Sequence, residues 1–171
     1  MKAILHPLSS ILFAALLTGC ATAPLTHGIP NLRQVEPGVW RGGQPTAEGW
    51  TYLASLGVTE DVKLNLENGG DPEATALGMT VHSFPLSFAR QIGLREIPRA
   101  EFYTLIDSQP PTRNVFIHCQ HGEDRTGVAV ALWRMRQDNW TKPMAEKEML
   151  KFGFHKSLFG LWRFWKTTTK E

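Results

Sequence analysis

Cysteine is scarce in this chain: among 171 residues there are only Cys20 and Cys119, in unlike contexts. A disulfide framework is therefore excluded as the basis of the fold. Excess charge is also missing. Eighteen basic side chains meet sixteen acidic ones, a formal net charge of +2. That is too little to draw the chain to nucleic acid, and none is expected as a partner. Low-complexity segments and internal repeats are absent, which excludes a solenoid or a disordered chain. His27 and His155 stand at no metal-ligand spacing. Neither a metal nor a cofactor is expected. What remains is enough for one domain with one core: 42% hydrophobic and 20% charged residues.

The first apolar run comes early. One charge at Lys2 precedes Ile11 to Leu17 (ILFAALL) and then Leu17-Thr18-Gly19-Cys20. A short charged end, a short apolar stretch and small residues form the layout of a secretory signal. The run is too short for a permanent membrane-spanning helix. Leu-Thr-Gly-Cys also resembles the lipobox of bacterial lipoproteins. That resemblance implies cleavage before Cys20 and lipidation of the new N-terminus. A plain secretory signal, or an apolar helix with an incidental cysteine, is the blander alternative. Ala21, rather than Asp, favours the outer membrane facing the periplasm in a Gram-negative envelope. The expected organisation is a signal over residues 1–19, a tether over 20–30 and a catalytic domain over 31–171.

Further along, Leu32 to Trp40 reads as an extended piece ending near the Pro37-Gly38 turn. Arg41 to Pro45 reads as a loop. Thr46 caps a helix that stops at Gly57. Val58 to Leu66 alternates Val62, Leu64 and Leu66 with Asp61, Lys63 and Asn65, the period of a strand. A break at Asn68 to Pro72, a short helix over Glu73–Leu77, a strand over Thr80–Leu86 and a loop over Ser87–Ile97 follow. Pro98 opens a helix to about Ser108, ended by Pro110-Pro111. Val115 to His118 is a compact, largely apolar strand, and Arg125 starts a helix to about Gln137. Lys142 to Lys166 reads as two helices broken near Gly153 and Gly160. Alternating strands and helices predict an α/β three-layer sandwich with a mainly parallel central sheet flanked by helices.

The chemistry concentrates between that last strand and its helix. Such a junction presents Cys119 at the carboxyl edge of a parallel sheet. The loop Gln120-His121-Gly122-Glu123-Asp124-Arg125 supplies successive amides, and Gly122 permits the sharp turn. Unpaired amides at a helix N-terminus form an anion cradle. Arg125 adds a planar fork for two phosphate oxygens. A cysteine in such a field is placed for thiolate chemistry. Gln120, His121, Gly122 and Glu123 are thus phosphate-binding candidates. The blander reading is a buried cysteine at a strand end with an incidental arginine.

His118-Cys119-x5-Arg125-Thr126-Gly127 resembles the signature of the cysteine-dependent tyrosine and dual-specificity phosphatases. Val39-Trp40-Arg41-Gly42-Gly43-Gln44-Pro45-Thr46 is similar to a segment of bacterial and fungal dual-specificity-like phosphatases. The resemblance implies a protein-tyrosine-phosphatase-like fold and hydrolysis of phosphate monoesters through a phosphocysteine on Cys119. It implies that Arg125 stabilises the transferring group, that Thr126 supports the departing thiolate, and that His118 fixes the loop and favours the thiolate. The substrate is expected to be a phosphorylated protein or small molecule.

One element of that pattern is missing. The family's mobile-loop Asp should follow Phe84-Pro85-Leu86, where the chain reads Ser87-Phe88-Ala89-Arg90. Asp124 is the favoured substitute, resembling the Asp before Arg in myotubularin lipid phosphatases; Glu96 and His82 are the alternatives. Asp124 can equally pair with Arg90 or cap the following helix. Arg41, Arg90, Arg95 and Arg99 can offset the loop acids toward a phosphorylated partner, with Arg99 the most ordinary of them. The basic, aromatic tail from Lys142 onward reads as a closing helix burying its aromatics rather than a membrane-surface helix. Competing functions are a phosphoinositide or other small-molecule phosphatase, a phospholigand-binding module without turnover, and a cysteine redox sensor.

Overall fold

A computed structural model describes residues 25–66, 71–109 and 114–169. The signal segment, Cys20, residues 21–24 of the tether, Asn68 to Gly70, Pro110-Pro111, Lys170 and Glu171 lie outside them.

The described chain begins with a small hairpin, β1 (Leu25–Thr26) and β2 (Ile29–Pro30). The tether expected up to residue 30 is therefore structured in its second part. The reason is packing: Ile29 is fully buried and His27 stacks on Tyr52 at 3.8 Å. Next come β3 (Arg33–Glu36) and β4 (Val39–Gly42), joined through Pro37-Gly38. Residues expected as a loop thus supply a strand, because Arg41 and Gly42 pair with Ile117 and His118. Helix α1 (Ala47–Ser55) is capped by Thr46, whose side chain accepts from the Gly49 amide at 3.3 Å. It buries Gly49, Trp50 and Leu53 on one face.

Then follow β5 (Glu60–Lys63), α2 (Asp71–Ala76), β6 (Thr80–Ser83), α3 (Phe88–Gln91) and α4 (Arg99–Asp107). The chain closes with β7 (Val115–His118), α5 (Asp124–Arg136), α6 (Lys142–Lys151) and α7 (Phe159–Lys166). The larger sheet has the order β3-β4-β7-β5-β6, parallel except for β3. The three-layer α/β sandwich is as the alternation predicted.

Strand alternation divides the interior into two cores. Val62, Val115 and Ile117 face the larger one, with Phe102, Ile106, Leu161 and Trp165. Phe116 faces the smaller one, with Ile29, Trp50, Leu53 and Ala74. Parallel strands covered on both sides leave no wet face. Asp61, Lys63 and Asn65, the polar phase of the strand pattern, are accordingly buried, while Leu66 beyond the strand is exposed. Helix α5 is buried from Arg125 to Met135. Arg134 ties it to α6 through two bonds to Glu148, at 2.9 and 3.1 Å, and to the Val35 carbonyl at 2.8 Å.

The tail aromatics mostly close the core: Phe154, Phe164 and Trp165 are buried, with Phe159 exposed. No described helix is long and apolar enough to cross a membrane. Gly160 does not break the tail but sits inside α7. A Cβ there would lie 2.0 Å from the Arg90 carbonyl oxygen and 2.5 Å from the Gly93 amide. The glycine lets α7 press on the segment that follows β6. Gly160→Ala gains about 1 kcal/mol of helix propensity. The overpacking outweighs it, so we expect a net loss of about 1–3 kcal/mol in denaturant unfolding, with faster amide exchange over residues 88–95.

Candidate active site

Cys119 follows β7 directly and is 2% exposed. The loop after it is shaped by what its carbonyls meet. The Gln120 carbonyl accepts from the Gln44 amide at 3.1 Å. The His121 carbonyl accepts from Asn31 Nδ2 at 2.9 Å. The Gly122 carbonyl accepts from Arg41 Nη2 at 2.9 Å. In a trans peptide the N–H points opposite the C=O. Three carbonyls turned to the scaffold therefore turn the amides of His121, Gly122 and Glu123 the other way. The Gly122 amide does point at the sulfur, with N to Sγ at 3.3 Å.

Gly122 is required twice over. Its φ is +80°, and an added Cβ would stand 2.4 Å from the Gly42 carbonyl carbon and 2.5 Å from the Gly43 amide. The loop runs into α5, whose first-turn amides have no acceptor within the helix. Arg125 is nearly buried there, with Nη1 3.5 Å from the Leu64 carbonyl. Thiol and Gly122 amide meet directly, and Arg125 enters the same loop–helix junction.

The supporting residues are placed less directly. Thr126 Oγ1 donates to the Gly42 carbonyl at 3.4 Å, which ties α5 to β4. His118 is fully buried on the opposite side of the sheet. Its ring stacks on Phe116 at 5.2 Å, meets Trp50 edge-on at 5.7 Å and has Nε2 3.2 Å from Asp61 Oδ1. It reaches the loop through its backbone, and Asp61 is a partner that the alternation pattern alone did not single out. His121 is exposed, and Gln120 and Glu123 are half-buried. Asn31 Nδ2 also donates to Glu123 Oε1 at 3.2 Å.

The candidate acids separate. The Asp124 carboxylate accepts from the His155 backbone amide at 2.7 Å and lies 3.1 Å from the His155 ring Nδ1. Arg90, its other expected partner, donates instead to the Pro85 carbonyl at 3.0 Å. Glu96 lines a cavity of about 400 Å³ with Arg95, Arg99 and Arg163, sharing no residue with the loop. His82 Nε2 bonds Glu60 Oε2 at 2.7 Å. Glu60 opens β5, at the opposite end of the parallel sheet from Cys119. Arg99 is more than an ordinary surface residue: it donates to Tyr103, Thr167 and Thr168 and joins α4 to the end of α7. His155 had no sequence signal, because folding alone brings it to Asp124. Glu123, Asp124 and His155 hold ligand atoms within 4.8 Å of one another, but Asn31 and the His155 amide already engage the two acids.

A family model described as "DSP-PTPase phosphatase fused to NAD+ Kinase" matches residues 28–158. The chain is 27% identical over 129 residues to the dual specificity protein phosphatase TpbA of Pseudomonas aeruginosa, covering 72% of this chain and 55% of that protein. It is 30% identical over 112 residues to an inositol diphosphatase of Oryza sativa subsp. japonica, covering 63% and 54%. The chain thus spans about half the length of these curated relatives. The crystal structure of P. aeruginosa TpbA superposes with a TM-score of 0.69 at 22% identity, over 86% of this chain and 90% of that one, a likeness of fold. The matched span takes in both the sheet and the loop, and the chain belongs to the DSP-PTPase phosphatase family.

Proposed function

We propose that this protein hydrolyses phosphate monoesters by the two-step route of cysteine-dependent phosphatases. The observation that carries the reading is the Gly122 amide aimed at Cys119 Sγ inside a loop that also holds Arg125. In the first step the thiolate attacks phosphorus and the ester P–O bond breaks. The leaving oxygen takes a proton, and phosphate stays on sulfur. In the second step water attacks that phosphocysteine, losing a proton as the P–S bond breaks and the thiolate returns. Arg125 and the loop amides stabilise the equatorial oxygens in both. Phosphotyrosine-type and dual-specificity protein substrates are the first choice, supported by the dual-specificity relative. A small-molecule phosphatase is the second, supported by the inositol diphosphatase relative. On aryl phosphate we expect turnover that vanadate inhibits and that Cys119→Ser abolishes while phospholigand binding persists. Binding without turnover in the wild-type protein would leave a phosphate-recognition module instead.

For the leaving-group proton we assign Asp124, with His155 able to share it across their contact. Glu96 is exposed beside a cavity that shares no residue with the loop, and His82 is bonded to Glu60. With an alkyl phosphate, Asp124→Asn should lower kcat by about 10²–10⁴-fold and remove the basic limb of the pH–rate profile. With p-nitrophenyl phosphate, a good leaving group, the loss should be a few-fold at most. An intact alkyl-phosphate profile would move the acid elsewhere.

We also propose that the mature protein is a lipoprotein of the cell envelope, held at the outer membrane and facing the periplasm through lipid on Cys20. Support comes from the order of Lys2, the apolar run and Leu17-Thr18-Gly19-Cys20. Labelling with a palmitate analogue in a Gram-negative host should mark the wild-type chain and not Cys20→Ser, which should leave the membrane fraction.

A further inference from the structure

Arg41 is an unusual place for a positive charge. It is 2% exposed, and among the described residues only its Nη2 has a hydrogen-bond acceptor, the Gly122 carbonyl. Buried Nε and Nη1 have none among the described residues. Burial lowers its pKa to about 10, against the raising influence of the Glu148 and Cys119 charges. A buried guanidinium with two such donors costs stability unless an anion meets it.

The surroundings add cations. Arg41 lines a cavity of about 190 Å³ with Asn31, Arg33, Gly122, Glu123, Lys151, Phe152 and Gly153. The Phe152 ring has Arg33 at 4.7 Å, Arg41 at 5.3 Å and Lys151 at 5.5 Å from its centroid. An aromatic face attracts each cation, but three cations around one ring repel one another. Among the described residues Glu123 is the one acid lining the cavity, and Asn31 already bonds it. The cavity therefore keeps a positive excess.

Its position separates it from the catalytic cradle. Asn31 and Arg41 hold the outward carbonyls of His121 and Gly122, so the cavity lies on the carbonyl side of the loop. The amides that receive the reacting phosphate face the other way. We propose that this cavity is a second anion site, for a phosphate dianion bound by Arg41, Arg33 and Lys151 against Phe152. That dianion is either a second phosphate carried by the substrate or free inorganic phosphate. Phosphate binding in the cavity stands apart from the hydrolytic reading, while the vanadate block and a substrate-borne source rest on it.

The test blocks the cradle and asks whether phosphate still binds. Protein saturated with vanadate, which occupies Cys119, should bind one inorganic phosphate by calorimetry. The double variant Arg33→Gln/Lys151→Gln changes two exposed side chains and leaves Arg41 in place. It should weaken that binding at least tenfold, with melting temperature and phenyl phosphate turnover unchanged. If substrate supplies the anion, the double variant should raise KM for a bisphosphorylated substrate about tenfold, and not KM for phenyl phosphate. If free phosphate supplies it, neither KM should change, and calorimetric binding alone should be lost. Vanadate-loaded protein that binds no phosphate, or a double variant that binds it as tightly as wild type, would overturn the site. Turnover of phenyl phosphate and its vanadate inhibition report on the hydrolytic reading separately.

Discussion

The site depends on the outward pull on three consecutive carbonyls. Gln120, His121 and Gly122 each give their oxygen to a donor from another part of the chain: the Gln44 amide, Asn31 and Arg41. Planarity of the peptide turns that pull into an inward set of amides. A loop left to itself would pair those amides with water or its own side chains. Here the segment from Asn31 to Gln44 fixes them before any ligand arrives, which is what electrostatic preorganisation requires.

This constraint explains the rest of the architecture near the loop. Strand β4 must lie beside β7 so that Gly42 and Gly43 can back directly onto Gly122. A side chain at Gly43 or Gly122 would push the loop away: a Cβ at Gly43 would meet the Gln120 carbonyl oxygen at 2.8 Å. The hairpin over 25–30 supports the same segment, with the Gly43 amide donating to the Pro30 carbonyl at 2.7 Å. Burying Arg41 beside it is the cost of the arrangement, and it leaves two buried donors with no partner among the described residues.

Much of the loop was readable because its signals are local. An apolar strand, a cysteine, a glycine at the turn and Arg-Thr-Gly entering a helix follow one another in order. The missing carboxylate after Leu86 was equally visible. Strand β4 was not, because Arg41-Gly42-Gly43-Gln44-Pro45 carries loop residues and becomes a strand only by pairing with β7. The burial of Asp61 and Lys63 was hidden for a related reason. Alternation reports a strand, but whether its polar phase meets water depends on which helices cover it.

The sequence by itself determined the α/β class, the order of most elements and the placing of Cys119, Gly122 and Arg125 at one strand–loop–helix junction, since each rests on neighbours a few residues away. Tertiary structure alone decided what surrounds them. It put His155 on Asp124, left Glu96 beside a cavity apart from the loop, bonded His82 to Glu60, set His118 against Asp61, and drew Arg33, Arg41 and Lys151 around Phe152. The physical reason is separation along the chain: these partners lie far apart in sequence, and their distances exist only once the two cores have packed.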